Sequence, residues 1–319
     1  MCTAISFTSR QQHRFLGRTM DFPLRSTPWQ QGYLPIDYHW QSLPKFNSFT
    51  NDYAILGGMR EINGHYLIGD GLNSAGLWVA ELYFPGPQLY YDHPQAHCLN
   101  LSPQDMIGWL LGMHASVAEI AAELDLVALN GVIWHDHDIV HPFHWLLNDD
   151  TGTYLIEPTQ YHLTLQALPL GVLTNSPRYA KQRQKLTSYL GIDPKASDAE
   201  VMMAICSSKA PLPSQRTPTS RFINAAVSLW QASPFDDSDQ EAFRLSSKIL
   251  KQVEMNQLPG HDVYTHYREI VDAHAQTSYF YDLTTRQKLV HRLPDLMARF
   301  DQPSLYKKKK SKILQNKVE

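Results

Sequence analysis

Met1-Cys2-Thr3-Ala4-Ile5-Ser6-Phe7 opens the chain, and Arg14-Phe15-Leu16-Gly17-Arg18-Thr19-Met20-Asp21 answers it after a short polar turn. The first stretch alternates small or apolar residues with polar ones. The second returns with the same period of two, so the pair predicts a β-hairpin. Removal of Met1, usual before a small residue, leaves Cys2 with a thiol and a free α-amine on neighbouring carbons. A thiol with an ordinary pKa of about 8.5 needs a base, and an α-amine titrating near about 7.7–8.0 is placed to act as one. Nucleophile and base within one residue is a compact form of covalent catalysis. The alternative is a cysteine at position 2 with no role.

Outward from the hairpin, strand-like segments follow at 53–57, 64–69 and 76–84, with turn chemistry in Gly71-Leu72-Asn73 between the last two. Ser102-Pro103-Gln104-Asp105 predicts a helix start with Ser102 as cap, opening a helix over 106–113, and Ser116 opens another through 124. Strands are expected at 125–133, 143–147, 152–157, 161–166 and 170–173. A helical half spans 177 to about 253, broken by the proline-rich loop 211–218, and three antiparallel strands close the pattern at 262–272, 276–283 and 287–291. Strands, helices, strands, helices, strands predict an α+β fold. Its expected form is one αββα sandwich of two antiparallel sheets flanked by helices, with Cys2 opening a central strand. Residues 1–300 read as a single domain, and 301–319 as a basic, disordered tail.

The chain has 319 residues, 43 % of them hydrophobic and 18 % charged, which is enough to bury a large core. A net charge of −3 points away from nucleic acid. The basic run Lys307–Lys310 with Lys312 reads as solvated tail, with membrane or nucleic-acid contact as the alternative. Three scattered cysteines (Cys2, Cys98, Cys206) make neither a disulfide framework nor a zinc finger. No signal peptide and no span of roughly 20 apolar residues is visible, so a cytoplasmic location is expected. A reducing compartment suits a working thiol.

Several residues downstream could serve Cys2. Arg18 and Asp21 share the strand beside it, where an Arg lowers a thiol pKa and an Asp holds an ammonium, unless they form an ordinary surface ion pair. Asn175, in Thr174-Asn175-Ser176-Pro177 between a strand and a helix, could donate to an oxyanion or merely begin a turn capped by Ser176. Arg221, in Thr219-Ser220-Arg221-Phe222 at a helix start, could reach a site between the sheets or stay in solvent.

Taken in order, Cys2, Gly17–Asp21, Asn73 in Gly71–Leu77, Tyr83-Phe84-Pro85-Gly86, His144-Trp145-Leu146, Thr174–Pro177 and Ser220-Arg221-Phe222 carry a resemblance. From Cys2 to about His291 the chain resembles the choloylglycine hydrolases, linear-amide hydrolases that include bile salt hydrolases and penicillin V acylases. The resemblance implies an N-terminal nucleophile hydrolase with Cys2 as nucleophile and its freed amine as base. It implies that Arg18 and Asp21 tune the thiol and place the amine, that Asn175 donates to the oxyanion, and that Arg221 supports the nucleophile. Position 83 matches the second oxyanion contact, where bile salt hydrolases usually carry Asn and penicillin V acylases often Tyr. Tyr83 therefore favours a flat aromatic acyl group over a sterol. Conjugated bile salts and acyl-homoserine lactones stay open as substrates. Met20, Phe22, Met59, Tyr83 and Ile133 are the residues expected near the pocket mouth. The resemblance requires no metal or organic cofactor and implies a homotetramer.

Two other readings compete. In Trp134-His135-Asp136-His137-Asp138-Ile139-Val140-His141-Pro142-Phe143-His144, His135 and His137 could share a strand face and bind a metal. His144-Trp145 instead reads as the start of a core strand. Abundant Trp and Tyr would also suit a non-enzymatic small-molecule binder of the same fold. The intact set Cys2, Arg18, Asp21, Asn175 and Arg221 argues against that.

Overall fold

The computed structural model describes residues 2–23, 28–43, 47–133, 139–232, 238–260 and 262–306. The N-terminal hairpin pairs β1 (Thr3–Thr8) with β2 (Arg14–Pro23), Thr3 lying opposite Thr19. Next come β3 (Gln30–Leu34) and a small hairpin of β4 (His39–Gln41) and β5 (Ser48–Thr50). A meander of β6 (Ile55–Ile62), β7 (His65–Asn73) and β8 (Trp78–Tyr83) follows. β9 (Leu99–Leu101) leads into the helices α1 (Met106–Met113) and α2 (Val117–Glu123). β10 (Val127–Leu129) then pairs parallel with β9. β11 (Phe143–Asp149), β12 (Gly152–Ile156), β13 (Leu165–Ala167) and β14 (Val172–Thr174) come before the main helical layer. That layer holds α3 (Tyr179–Leu190), α4 (Asp198–Ser207), α5 (Pro218–Gln231) and α6 (Asp239–Val253). The chain returns through β15 (Val263–Asp272), β16 (Thr277–Asp282), β17 (Gln287–Arg292), α7 (Leu293–Met297) and β18 (Ser304–Leu305).

The first sheet runs β14-β1-β2-β15-β16-β17 and the second β13-β12-β11-β8-β7-β6-β3-β18, both antiparallel. Helices α5 and α6 cover the outside of the first sheet, and α1 covers β7 and β8 of the second. This is the αββα order expected from the sequence. Strand alternation explains it. Trp78, Ala80 and Leu82 of β8 join the core shared with the first sheet, while Val79 turns the other way to Leu110 and Leu111 of α1.

Some expectations shift. β1 is second from the edge of its sheet, between β14 and β2, rather than central. The first α1 cap is not Ser102: Asp105 stands at that position, and Ser102 Oγ instead donates to Asp105 Oδ2 at 2.6 Å in the preceding turn. Ser116 does cap α2, accepting from Glu119 N at 3.3 Å. The strand expected over 125–133 shortens to β10. Ser304 and Leu305, beyond the boundary expected at 300, pair with Tyr33 and Gly32 of β3. The lysine run of 307–310 lies outside the described residues.

Candidate active site

Cys2 enters β1 just before the Thr3–Thr19 pair and is 3 % exposed. On the other side of β1, Thr3 pairs with Thr174, the last residue of β14, so the next residue leaves the sheet edge beside Cys2. That residue is Asn175. Cys2 N donates to Asn175 Oδ1. Asn175 Nδ2 donates to the Tyr83 carbonyl at 2.6 Å, bridging the two sheets, and Gln182 Nε2 holds the Asn175 carbonyl at 3.0 Å.

Arg221 comes from the first turn of α5, whose cap Thr217 accepts from Ser220 N at 3.2 Å. Its buried guanidinium donates to Thr3 Oγ1 at 2.9 Å, Asp21 Oδ2 at 3.2 Å and Asn175 Oδ1 at 3.0 Å. Burial lowers the Arg221 pKa, and the nearby Asp21 and Cys2 oppose that. The other Asp21 oxygen accepts from Thr265 Oγ1 at 2.5 Å. Cys2 Sγ lies 3.8 Å from the Asp21 backbone carbonyl.

Arg18 does not join Asp21, because residues 18 and 21 of one strand face opposite ways. Asp21 faces the helical layer; Arg18 faces the second sheet, fully buried, donating to the Gly69 carbonyl and lying 3.5 Å from Asp70 Oδ1. Burial works against the Arg18 charge, yet Cys2, Tyr267, Asp70 and Asp21 together raise its pKa. Tyr267 OH also donates to Asp70 Oδ1. Gly58 makes this approach possible, since a Cβ there would collide with the Tyr267 hydroxyl.

One strand serves both faces of β2 through an irregularity. Thr265 of β15 pairs with Asp21, but Tyr267 pairs with Met20, the register slipping by one residue at His266. The bulge turns Thr265 toward the helices and Tyr267 toward the second sheet, although the two are only two residues apart. His266 Nε2 is 2.8 Å from the Phe22 carbonyl.

Beside Cys2 a pocket of about 430 Å³, its open side included, is walled by Met20, Phe22, Trp29, Leu67, Tyr83 and Phe143. Of the residues expected at its mouth, Met20, Phe22 and Tyr83 are there. Met59 is not: its neighbour Gly58 faces Tyr267, so alternation sends Met59 to the outer core with Leu34, Ile55 and Ile68. Ile133 is 58 % exposed, bridges to Val140 and is not among the described residues that line the pocket.

Sequence reading missed Thr3 and Thr265, which are ordinary strand residues until their partners are known. It also missed Trp29, Leu67, Glu81, Gln104 and His141 in the pocket. Asn73, quoted above as a motif, holds the β7–β8 turn against α1 by donating to Leu111 O at 2.9 Å and His114 O at 2.7 Å. His144 is a core residue of β11 as expected, stacked on Phe84 at 4.4 Å, with its imidazole pKa lowered by burial. His135 and His137 lie outside the described residues. Among the described residues no group of His, Cys, Asp and Glu is arranged to hold a metal, and no helix is long and apolar enough to cross a membrane.

The geometry can be set beside known proteins. The model of the linear amide C–N hydrolases, choloylglycine hydrolase family, matches residues 2–295. A bile salt hydrolase/transferase of Lactiplantibacillus plantarum is 29 % identical over 71 % of this chain and 70 % of its own length. A conjugated bile acid hydrolase of Lactobacillus gasseri is 27 % identical over 88 % of this chain and 92 % of its own. In structure, a mutant of the conjugated bile acid hydrolase of Clostridium perfringens superposes with a TM-score of 0.81, covering 97 % of this chain and 98 % of that one at 21 % identity. Penicillin V acylase of Agrobacterium tumefaciens gives 0.71 at 18 % identity, covering 93 % and 87 %. These two likenesses bear on fold alone; the family follows from the match over residues 2–295, and this chain belongs to the choloylglycine hydrolase family of linear amide C–N hydrolases.

Proposed function

We propose that Cys2, freed at its amine by loss of Met1, hydrolyses linear amides through a thioester. The reading rests on one observation: Cys2, Asp21, Asn175 and Arg221, far apart in sequence, meet in one hydrogen-bonded cluster at an apolar pocket. The amine takes the thiol proton and the thiolate attacks the carbonyl carbon. Asn175 Nδ2 carries two hydrogens; one goes to Tyr83 O, leaving the second for the oxyanion, which the Tyr83 N–H shares. The ammonium then protonates the departing amine. Water, deprotonated by the same amine, releases the acyl acid from Cys2. Asp21 and Arg221 hold Asn175 and β1 in register, and Arg18 sets a positive charge behind the thiolate.

Met20, Phe22, Trp29, Tyr83 and Phe143 form a largely aromatic wall, which supports an aryl acyl group such as phenoxyacetyl, as in penicillin V. Conjugated bile salts are the second reading, supported by the names of the relatives in sequence. A cytoplasmic setting, which keeps the thiol reduced, and a homotetramer carried over from the family complete the proposal. The test is intact mass together with kcat/KM for penicillin V and a taurine-conjugated bile salt. The expected result is a chain starting at Cys2 that prefers penicillin V. An active protein that keeps Met1 sinks the mechanism, because an acylated nitrogen is no base.

A further inference from the structure

The pocket beside Cys2 does not end in hydrocarbon. β7 and β8 are paired only from Asp70 to Leu72 against Trp78 to Ala80. Beyond that stretch, Leu67 of β7 and Glu81 and Tyr83 of β8 line the same pocket, together with Gln104 from the turn before α1. Alternation along β8 puts Glu81 and Tyr83 on the α1 side, with Val79. Two polar side chains meet the pocket there. Glu81 is 4 % exposed; its Oε2 accepts from Trp145 Nε1 at 3.1 Å, which leaves Oε1 for the pocket. Gln104, in the turn before α1, is 3 % exposed, and neither its Oε1 nor its Nε2 has a hydrogen-bond partner among the described residues. Gln104 also borders a second pocket formed by Tyr38, Trp40 and His65.

A buried amide with no partner is costly, and a site that leaves one open rejects molecules that cannot complete it. We propose that Glu81 and Gln104 form a polar floor to the acyl pocket, and that for a given acyl skeleton they favour the amide carrying a hydroxyl or oxo oxygen beyond the scissile carbonyl over the one carrying none. The idea rests on the amide-hydrolase reading above and specifies its acyl group. Burial pushes the Glu81 carboxyl well above its ordinary range, against the Trp145 hydrogen bond and the Arg18 charge, which disfavours an ionised floor and suits a neutral oxygen rather than an ammonium. A neutral carboxyl donates to an oxo oxygen or accepts from a hydroxyl, and the Gln104 amide does either. The apolar walls hold the chain between this floor and Cys2.

The experiment compares 4-nitroanilides of hexanoic acid with those of its hydroxy, oxo and 6-amino derivatives, substituted singly along the chain. At least one hydroxy or oxo compound is expected to exceed hexanoyl in kcat/KM by about 10- to 100-fold, with the 6-amino compound below hexanoyl. Gln104→Leu and Glu81→Leu should bring kcat/KM for the oxygenated compound down to that for the hexanoyl compound, and Glu81→Gln should keep most of the advantage. Calorimetry of the free acids with Cys2→Ala protein gives the same comparison without turnover or any change at the floor. Equal or tighter binding of hexanoate than of every oxygenated acid overturns the proposal, as does an advantage that survives Gln104→Leu. Loss of all anilide cleavage by wild type, with oxygenated acids still bound more tightly, would overturn the amide-hydrolase reading and leave the polar floor standing.

Discussion

The two faces of β2 each bury an arginine beside carboxyls, and they solve the problem differently. On the helix side Arg221 meets one carboxylate, Asp21, and Thr3, Thr265 and Asn175 complete the hydrogen bonding. Charges match one to one. On the inner side Arg18 faces both Asp70 and Glu269, with Tyr267 donating to Asp70 and Ser278 to Glu269. Burial, with Asp70 adding to it, pushes the Glu269 carboxyl well up, against Ser278 and Arg18. The first cluster therefore fixes geometry around Cys2, and the second supplies charge and holds a carboxyl that takes up a proton more readily than usual. Fixed geometry is the property a nucleophile and its oxyanion donor need.

The largest test of this division is at the thiol between them. Cys2→Ala should abolish turnover with an unchanged circular dichroism spectrum, and Cys2→Ser should leave only a trace, since a hydroxyl is far less acidic. Iodoacetamide should inactivate wild type in step with loss of that thiol.

Arg221→Leu comes next. Removing one partner of a buried pair costs about 3–5 kcal/mol, because the other partner is left buried without it. Arg18→Leu should cost less at pH 5 than at pH 8, since Glu269, its carboxyl pushed up by burial, takes up a proton more readily at the lower pH. Denaturant melts of both variants at the two pH values decide it. Equal pH dependence would erase the distinction between the faces.

Asn175→Ala should lower kcat by about 10²–10³ with little change in KM. A change confined to KM would make Asn175 a binding or turn residue. Tyr83→Asn should move the kcat/KM ratio toward bile salts by about tenfold, the worth of an aromatic stack of about 0.5–1.5 kcal/mol.

The smallest effect concerns Glu269. Its folded pKa lies above the unfolded value of about 4.3, so the folded state binds more protons over the interval between them. Stability then falls as pH rises through that interval, by at most about 1.4 kcal/mol per unit. Glu81 contributes with the same sign. Glu269→Gln should flatten the fall without touching kcat at pH 7; a lower kcat would mean that Glu269, and not only the Arg18 charge, bears on the chemistry.

The hairpin, the αββα layering and most strand centres were legible because period-two patterning and cap residues are local signals. Cys2, Asn175 and Arg221 were legible only as a set, through the order of their motifs. What could not be read was facing. Arg18 and Asp21 lie three residues apart and look like partners until alternation separates them. Thr265 and Tyr267 should share a face, and a single inserted residue at His266 divides them. Glu81 and Gln104 gave no signal, since their meaning depends on where β7 and β8 part.

The short edge strand β14 has a consequence for the order of events during synthesis. It seals Cys2 against β2 through contacts 173 residues away in sequence, and Asp21 waits for Thr265, 244 residues beyond it. A ribosome adding about 5–20 residues each second needs roughly ten seconds or more to deliver Asn175, and longer for Thr265. Throughout that interval the N-terminus is a free end that a methionine-removing peptidase can reach. Once the edge closes, Cys2 is 3 % exposed. The trimming proposed above belongs to the unfinished chain, before β14 closes over Cys2.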